Sequence, residues 1–339
     1  MATRRNRRIV LASRPKGEPA EENFRLEVTD VPVPAEGQVL LRTLFLSLDP
    51  YMRGRMNAGP SYAPATEIGQ VMEGGTVSEV VESRASGLKP GDVVLAHSGW
   101  QEYAVADARR VLELDPQAAP VTTSLGVLGM PGMTAYTGLL NVGQPKPGET
   151  VVVSAAAGAV GSAAGQIAKI TGCRAVGIAG SGEKCAWVAS ALGFDACVNY
   201  KEDGFEQRLA SACPNGVDVY FENVGGPVFQ AVLPLMNMFG RIPVCGRISQ
   251  YNVTMPARGV DRLPLLMAAI LVKRLTVRGF IVSDFNDQRA EFARNMAEWV
   301  RDGRVKYREH VVNGLENAVS AFRGLFRGEN FGKLIVKVA

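Results

Sequence analysis

The sequence predicts an α/β protein in two parts: a doubly wound parallel sheet and a separate β-rich region. Three observations carry that expectation. At 339 residues the chain is long enough for two domains of about 150 residues, each with its own core. Up to about residue 125, short Val- and Leu-rich runs are separated by Pro, Gly and Asp turn signals; from Thr150 onward, strand-like runs alternate with helical ones, the pattern of βαβ units. Glycine makes up 37 of the 339 residues, about 11% against a usual ~7%, as many tight turns and close backbone approaches require.

In the first part, residues 38–47, 69–81 and 92–97 read as strands, set apart by signals such as Lys89-Pro90-Gly91-Asp92. After Pro145-Lys146-Pro147-Gly148, the β-branched run 150–154 suits a strand buried on both faces. A small-residue helix follows over 159–171 and stops at Gly172. The alternation continues with strand 174–179, helix 183–192, strand 196–199, helix 205–213, strand 217–221, helix 228–238, and strands 241–245 and 275–282. Helix 287–302 carries Phe292, Met296, Trp299 and Val300 at core spacing, and 314–327 repeats the pattern before a last strand at 334–338.

Composition excludes several classes. Hydrophobic residues at 47% and charged residues at 21% are ordinary for a soluble globular protein and too apolar for a disordered one. The longest apolar stretch, near 265–272, falls far short of the ~20 residues of a membrane span. The N-terminus has Arg4, Arg5, Arg7 and Arg8 without the apolar segment and cleavage site of a secretory signal. Lys plus Arg exceed Asp plus Glu by 37 − 33 = 4, an excess those four arginines supply. The cluster therefore reads as a solvated, frayed terminus, and neither nucleic acid nor membrane is expected as a partner. All five cysteines lie at or after Cys173 and none forms a CxxC pair, which points to reduced thiols in a cytoplasmic protein. With only His97 and His310 besides, no metal site is expected.

The strongest local motif is Val153-Ser154-Ala155-Ala156-Ala157-Gly158-Ala159-Val160-Gly161, between the buried strand and its helix. Small residues there let a pyrophosphate approach backbone N–H groups at a helix N-terminus. Ala156 replaces the first glycine of GxGxxG, while Gly158 and Gly161 remain; in βαβ context the run reads as a dinucleotide site. About twenty residues on, an NAD site would carry an acid on the ribose. This chain has Ala179-Gly180-Ser181-Gly182, then Glu183 and Lys184. Dropping the acid and offering an ammonium favours the 2′-phosphate of NADP.

Taken together, several motifs resemble the zinc-independent medium-chain dehydrogenase/reductases. They are Met130-Pro131-Gly132-Met133-Thr134-Ala135-Tyr136, Ala155-x-x-Gly158-x-x-Gly161, Glu222-Asn223-Val224-Gly225-Gly226 and Gly246-x-Ile248-Ser249-x-Tyr251-Asn252. The likeness is to the branch of leukotriene hydroxydehydrogenases, prostaglandin reductases and alkenal double-bond reductases. Ser47-Leu48-Asp49-Pro50-Tyr51-Met52-Arg53 and Asn330-Phe331-Gly332-Lys333 extend it to both ends of the chain. Ser61-Tyr62, Gly126-Val127-Leu128-Gly129 and Ile242-Pro243-Val244-Cys245-Gly246 are most similar to the bacterial NADPH-dependent curcumin reductases.

The resemblance implies a GroES-like catalytic domain over 1–125 plus 305–339, around a Rossmann cofactor domain over 126–304. It implies NADPH held by Gly158, Ala159, Val160 and Gly161 at the pyrophosphate and by Lys184 and Tyr200 at the 2′-phosphate. Asn223, Cys245, Gly246, Ile248, Ser249, Tyr251, Phe280, Ile281, Val282 and Asn330 would line the rest. Where zinc alcohol dehydrogenases carry Cys and His-Glu, this chain has Leu48-Asp49-Pro50 and Ile68-Gly69-Gln70. Without that Lewis acid, simple alcohol oxidation loses its main support. Conjugate reduction needs only hydrogen-bond donors for an enolate. Tyr251 is expected as that donor or proton relay, and Tyr51 and Tyr62 as substrate-pocket residues. The expected activity is NADPH-dependent reduction of the C=C bond of an α,β-unsaturated ketone or aldehyde by a homodimer. Quinone reduction and non-catalytic NADPH binding are the alternatives.

Overall fold

The computed structural model describes residues 5–253 and 261–339. They form two compact units, one of residues 5–125, 251–253 and 309–339, the other of residues 126–250 and 261–308.

The chain starts in the first unit with β1 (Arg5–Leu11) and β2 (Phe24–Asp30), an antiparallel pair. Then come β3 (Gln38–Ser47), the single turn α1 (Met52–Arg55), β4 (Thr76–Ser83), β5 (Val93–Ala96), β6 (Tyr103–Asp107) and β7 (Leu112–Leu114). The second unit contributes α2 (Met130–Thr137), β8 (Thr150–Ser154), α3 (Ala159–Ile170), β9 (Arg174–Ala179), α4 (Gly182–Ser190) and β10 (Ala196–Asn199). It continues with α5 (Phe205–Ala212), β11 (Val217–Phe221), α6 (Gly226–Val232), β12 (Met236–Val244), α7 (Leu263–Lys273), β13 (Thr276–Gly279) and α8 (Arg289–Arg301). Then β14 (Glu309–Asn313), α9 (Ala318–Arg327) and β15 (Lys333–Lys337) return to the first unit.

The second unit is the doubly wound fold. Its six strands run parallel in the order β10-β9-β8-β11-β12-β13. Every residue of β8 is buried, as its unbroken β-branched run requires at the centre of a parallel sheet. Strand order reverses between β8 and β11, the switch point where such sheets open a crevice at their carboxyl ends.

The first unit is a sheet of order β14-β15-β3-β4-β5-β7, with β6 also paired to β3. Its core centres on Trp100, fully buried, stacked 5.7 Å from Phe24 and edge-on 5.5 Å from Phe322. The last strand, β15, sits inside this sheet, parallel to β14 and antiparallel to β3.

Four expectations need correction. Of the N-terminal arginines, Arg4 lies outside the described residues, and the others are not frayed. Arg5 pairs with Asp30, Arg7 with Glu102 and Glu316, and Arg8 with Glu27, because Ile9, Val10 and Leu11 bury one end of β1. Residues 69–75 form no strand of the sheet: the glycine-rich approach brings Gly74 so near that a Cβ there would meet Leu46 at 2.8 Å. The helix expected over 228–238 ends at Val232, since Pro234 lacks an N–H, and β12 starts at Met236. The strand expected over 275–282 is only β13, after which Phe280 turns inward.

Candidate functional site

The turn from β8 into α3 is shaped by its small residues. Ala155 takes a left-handed φ of +50°, and Ala156 and Ala157 are buried beneath it. A Cβ on Gly161 would lie 2.3 Å from the Ala155 carbonyl oxygen, so only glycine lets the helix come this close. Gly158 is the N-cap of the 12-residue α3 and supplies no side-chain acceptor to its amides. The result is a helix first turn whose N–H groups have no side-chain cap from Gly158, with the positive end of a helix dipole behind them. A pyrophosphate fits that donor set.

Beside it, the end of β11 anchors the turn that follows. Glu222 is buried at 2% exposure, and its Oε1 accepts from Ser154 Oγ at 3.1 Å, from Gly225 N at 2.9 Å and from Val224 N. Burial pushes the Glu222 carboxyl up from its usual pKa, against the pull of the two amides. Asn223 donates its backbone N–H to Ser154 Oγ and its side-chain amide to the Ser154 carbonyl, both at 2.8 Å.

The segment after β12 is laced onto this turn. Cys245 N and Gly246 N donate to Glu222 O, Ile248 N to Asn223 O, and Ser249 N and Oγ to Val224 O. Asn223 and the Cys245–Ser249 stretch are thus brought together, whereas Tyr251 groups with the first unit. A cleft of about 720 Å³ opens here, bordered by Glu222, Gly225, Gly246 and Arg247 and by apolar residues of α6 and α7. Sequence reasoning missed Ser154 and Glu222 as the organisers of this region. Their signal was a carboxylate just before Gly225 and Gly226, both at positive φ.

At the ends of β9 and β10 a second group gathers. Ser181 Oγ caps α4 by accepting from Lys184 N at 3.3 Å. Tyr200 N donates to Ala179 O at 3.1 Å, and its ring leans over Gly180, where a Cβ would come within 3.1 Å. Burial, then the neighbouring Lys201, pull the Lys184 ammonium below the ordinary lysine pKa, with Glu183 opposing. Two lysine cations beside an exposed tyrosine suit a phosphate monoester. Phe280 lies elsewhere, its buried ring packed on Phe221 and Phe285 and filling the space beside Gly138. Ile281 and Val282 lead into the following 3-10 turn, whose Asp284 accepts from Ile281 N at 3.1 Å.

In the first unit, Tyr51 stands between Pro50 and α1. Burial, reinforced by Asp49 and Glu73, raises its phenol pKa well above the usual tyrosine value, so it remains a donor. Tyr62 is exposed. Lys333 Nζ donates to Asp49 Oδ1 at 2.8 Å and to Leu48 O at 2.9 Å, a buried tie from the chain's end to the Tyr51 segment. Asn330 Nδ2 closes its own turn on Gly332 O at 2.8 Å. Arg53 Nε donates to Asn252 Oδ1 at 3.1 Å, fixing the neighbour of Tyr251.

Comparison with known proteins agrees with this architecture. Residues 7–114 match the family described as N-terminal domain of oxidoreductase, and residues 159–301 the one described as zinc-binding dehydrogenase. The chain is 56% identical over 336 residues to the NADPH-dependent curcumin reductase of Escherichia coli (strain K12), covering 99% of this chain and 97% of that one. It is 43% identical to prostaglandin reductase 1 of Bos taurus over 326 residues, 95% of each chain. The crystal structure of CurA from Vibrio vulnificus in complex with NADPH superposes with a TM-score of 0.95 at 53% identity, covering 98% of this chain and 99% of that one.

Proposed function

Since the chain belongs to the medium-chain dehydrogenase/reductase branch that includes curcumin and prostaglandin reductases, we propose that it is an NADPH-dependent enone reductase. The reaction is reduction of the C=C bond of α,β-unsaturated ketones or aldehydes, with bulky phenolic enones among the substrates. The observation that carries this reading is the full-length likeness to curcumin reductase. The uncapped amides of α3 and the Ser154–Glu222–Asn223 network support it. NADPH, when bound, supplies the hydride that reaches the substrate β-carbon.

The residues divide the remaining work. Gly158, Ala159, Val160 and Gly161 present backbone donors to the pyrophosphate. Ser181, Lys184 and Tyr200 hold the 2′-phosphate. Asn223, the Cys245–Ser249 stretch, Phe280–Val282 and Asn330 line the remainder of the cofactor. Tyr251 donates a hydrogen bond to the substrate oxygen as the enolate charge develops there, or relays the proton that quenches it. Tyr51 and Tyr62 form the substrate wall. In this reading the first unit is the GroES-like catalytic domain and the second the Rossmann cofactor domain.

Zinc has no part in the proposed chemistry. Among the described residues no group of three or more His, Cys, Asp or Glu side chains is placed to hold a metal, and the enolate is stabilised by hydrogen bonds. No helix among them is long and apolar enough to cross a membrane. All five cysteines are free thiols, which suits the reducing cytoplasm proposed as its compartment. A second copy of the chain is the proposed partner. It would sit on the edge strand β13, whose four residues are exposed, and on α7, which shows Leu265, Met267 and Leu271 to solvent.

The test is NADPH oxidation with enones, quinones and saturated ketones, before and after chelation, with the products identified. Saturated ketones formed from enones, undiminished by chelation, are expected. Quinol as the sole product would assign quinone reduction instead, and tight NADPH binding without turnover would assign a binding protein.

A further inference from the structure

Tyr51 and Tyr62 lie on separate pieces of backbone, and one guanidinium touches both. Arg55, the last residue of α1, places its Cζ 5.8 Å from the Tyr51 ring centroid and 5.1 Å from that of Tyr62, within the ~6 Å reach of a cation–π contact. The same side chain donates from Nη1 to Pro64 O at 3.1 Å and sets Nε 2.6 Å from Glu73 Oε1. Its carbonyl accepts from Thr66 N at 2.8 Å. The loop of residues 57–65 therefore leaves the chain just after Arg55 and is tied back to it. Arg14 secures the loop base, donating to Met56 O at 3.0 Å and Thr66 O at 3.2 Å.

Exposure separates the roles. The Arg55 side chain is 13% exposed, a charge withdrawn from water and held by Glu73, whereas Tyr62 is 60% exposed. A ring so exposed would sample several rotamers without a partner, and ordering it on binding would reduce affinity. A planar guanidinium can lie against two rings, donate an edge N–H to Pro64 O and still keep its charge against Glu73. A lysine ammonium, a point charge on a flexible stem, cannot do all of these at once.

We propose that Arg55 sets the substrate preference by locking the Tyr51 and Tyr62 rings into a preformed aromatic wall that selects aryl-substituted enones over small alkyl enones. The proposal rests on the assignment of both tyrosines to the substrate pocket. Arg55 acts as a positioning residue. An aryl enone gains offset stacking on the fixed rings, while a small enone has no ring to stack and gains less from the order Arg55 imposes.

The experiment compares 4-phenyl-3-buten-2-one with 3-buten-2-one in the wild type, Arg55→Lys and Arg55→Gln. Steady-state kinetics are accompanied by NADPH titration and thermal melts. In Arg55→Gln the aryl-to-alkyl ratio of kcat/KM should fall by about tenfold, the size of one lost stacking contact. The loss should appear mainly in the KM of the aryl substrate, with Arg55→Lys intermediate and NADPH affinity within about twofold of wild type. Equal losses on both enones, or an unchanged ratio, would overturn the proposal while leaving enone reduction standing. If Arg55→Gln fails to fold, Arg55→Lys, which keeps the charge facing Glu73, decides by the same ratio. A wild type inactive on both enones would remove the enone reading, and this proposal with it.

Discussion

Lys184 shows how far one residue can be read before its surroundings are known. Its place two residues after Ser181-Gly182 pointed to a 2′-phosphate. Its partial burial, and Lys201 as a second cation, became visible only when β9 and β10 lay side by side. Lys184→Ala should raise the NADPH dissociation constant while nearly sparing NADH, a loss of about 1–3 kcal/mol for one charge-assisted contact. Fluorescence titration with both cofactors checks this, and equal effects would remove Lys184 from the phosphate. Because its pKa is depressed, the ammonium is lost at a lower pH than for an ordinary lysine. Preference for NADPH over NADH should therefore fade on the alkaline side earlier than a solvated lysine would allow, as the same titration repeated across pH would show.

Tyr251 carries the second residue-scale expectation. Tyr251→Phe keeps the ring and deletes one donor, so kcat with an enone should fall roughly tenfold to a thousandfold. NADPH affinity should hardly change. Wild-type kcat in the variant would end the catalytic assignment, and weakened cofactor binding at unaltered kcat would make Tyr251 a support for the loop. Ser154 and Glu222 were not legible as organisers, because their meeting depends on β8 and β11 being neighbours, a pairing 68 residues apart in the chain.

At the scale of elements, the run from β8 through α3 to β9 was readable almost residue by residue. Its strands are continuous β-branched or apolar runs and its helix stops at a glycine of φ +80°. The elements less legible were those whose partners are distant in sequence. The arginine-rich β1 finds its acids at Glu27, Glu102 and Glu316, and β14 is defined by pairing with β15. Gly161→Ala probes the best-read element, since its methyl would strike the Ala155 carbonyl at 2.3 Å. Overpacking of this kind costs about 1–3 kcal/mol. Urea unfolding should report the lost stability, and NADPH affinity should fall with it. Unchanged affinity would mean the turn does not carry the pyrophosphate.

For the whole molecule, the two-part expectation came from chain length and the change of pattern after about residue 125, but association depends on surfaces that only the folded chain displays. The apolar run that is too short for a membrane became α7, with Leu265 and Leu271 64% and 76% exposed. Exposed leucines grouped on one helix beside a bare sheet edge are unusual in a monomer. Light scattering on the wild type should give twice the chain mass, and Leu265→Glu combined with Leu271→Glu should give one. A wild-type monomer at micromolar concentration would refute the dimer.

The position of β15 also fixes when the protein can finish folding. Residues 126–250 of the second unit precede the C-terminal strand in the chain, so the strands β8 to β12 leave the ribosome early and can begin pairing during synthesis. The other sheet waits, because β15 follows β3 by about 290 residues and must be made before the two can pair. Such closure is slow, and its unpaired edge is prone to aggregate meanwhile. Trp100 lies at the heart of the waiting unit, while Trp187 and Trp299 belong to the other. In refolding experiments a variant retaining only Trp100 should report a slow phase that variants retaining Trp187 or Trp299 lack. Chaperones that shield an unfinished sheet should then raise the yield of folded protein in refolding.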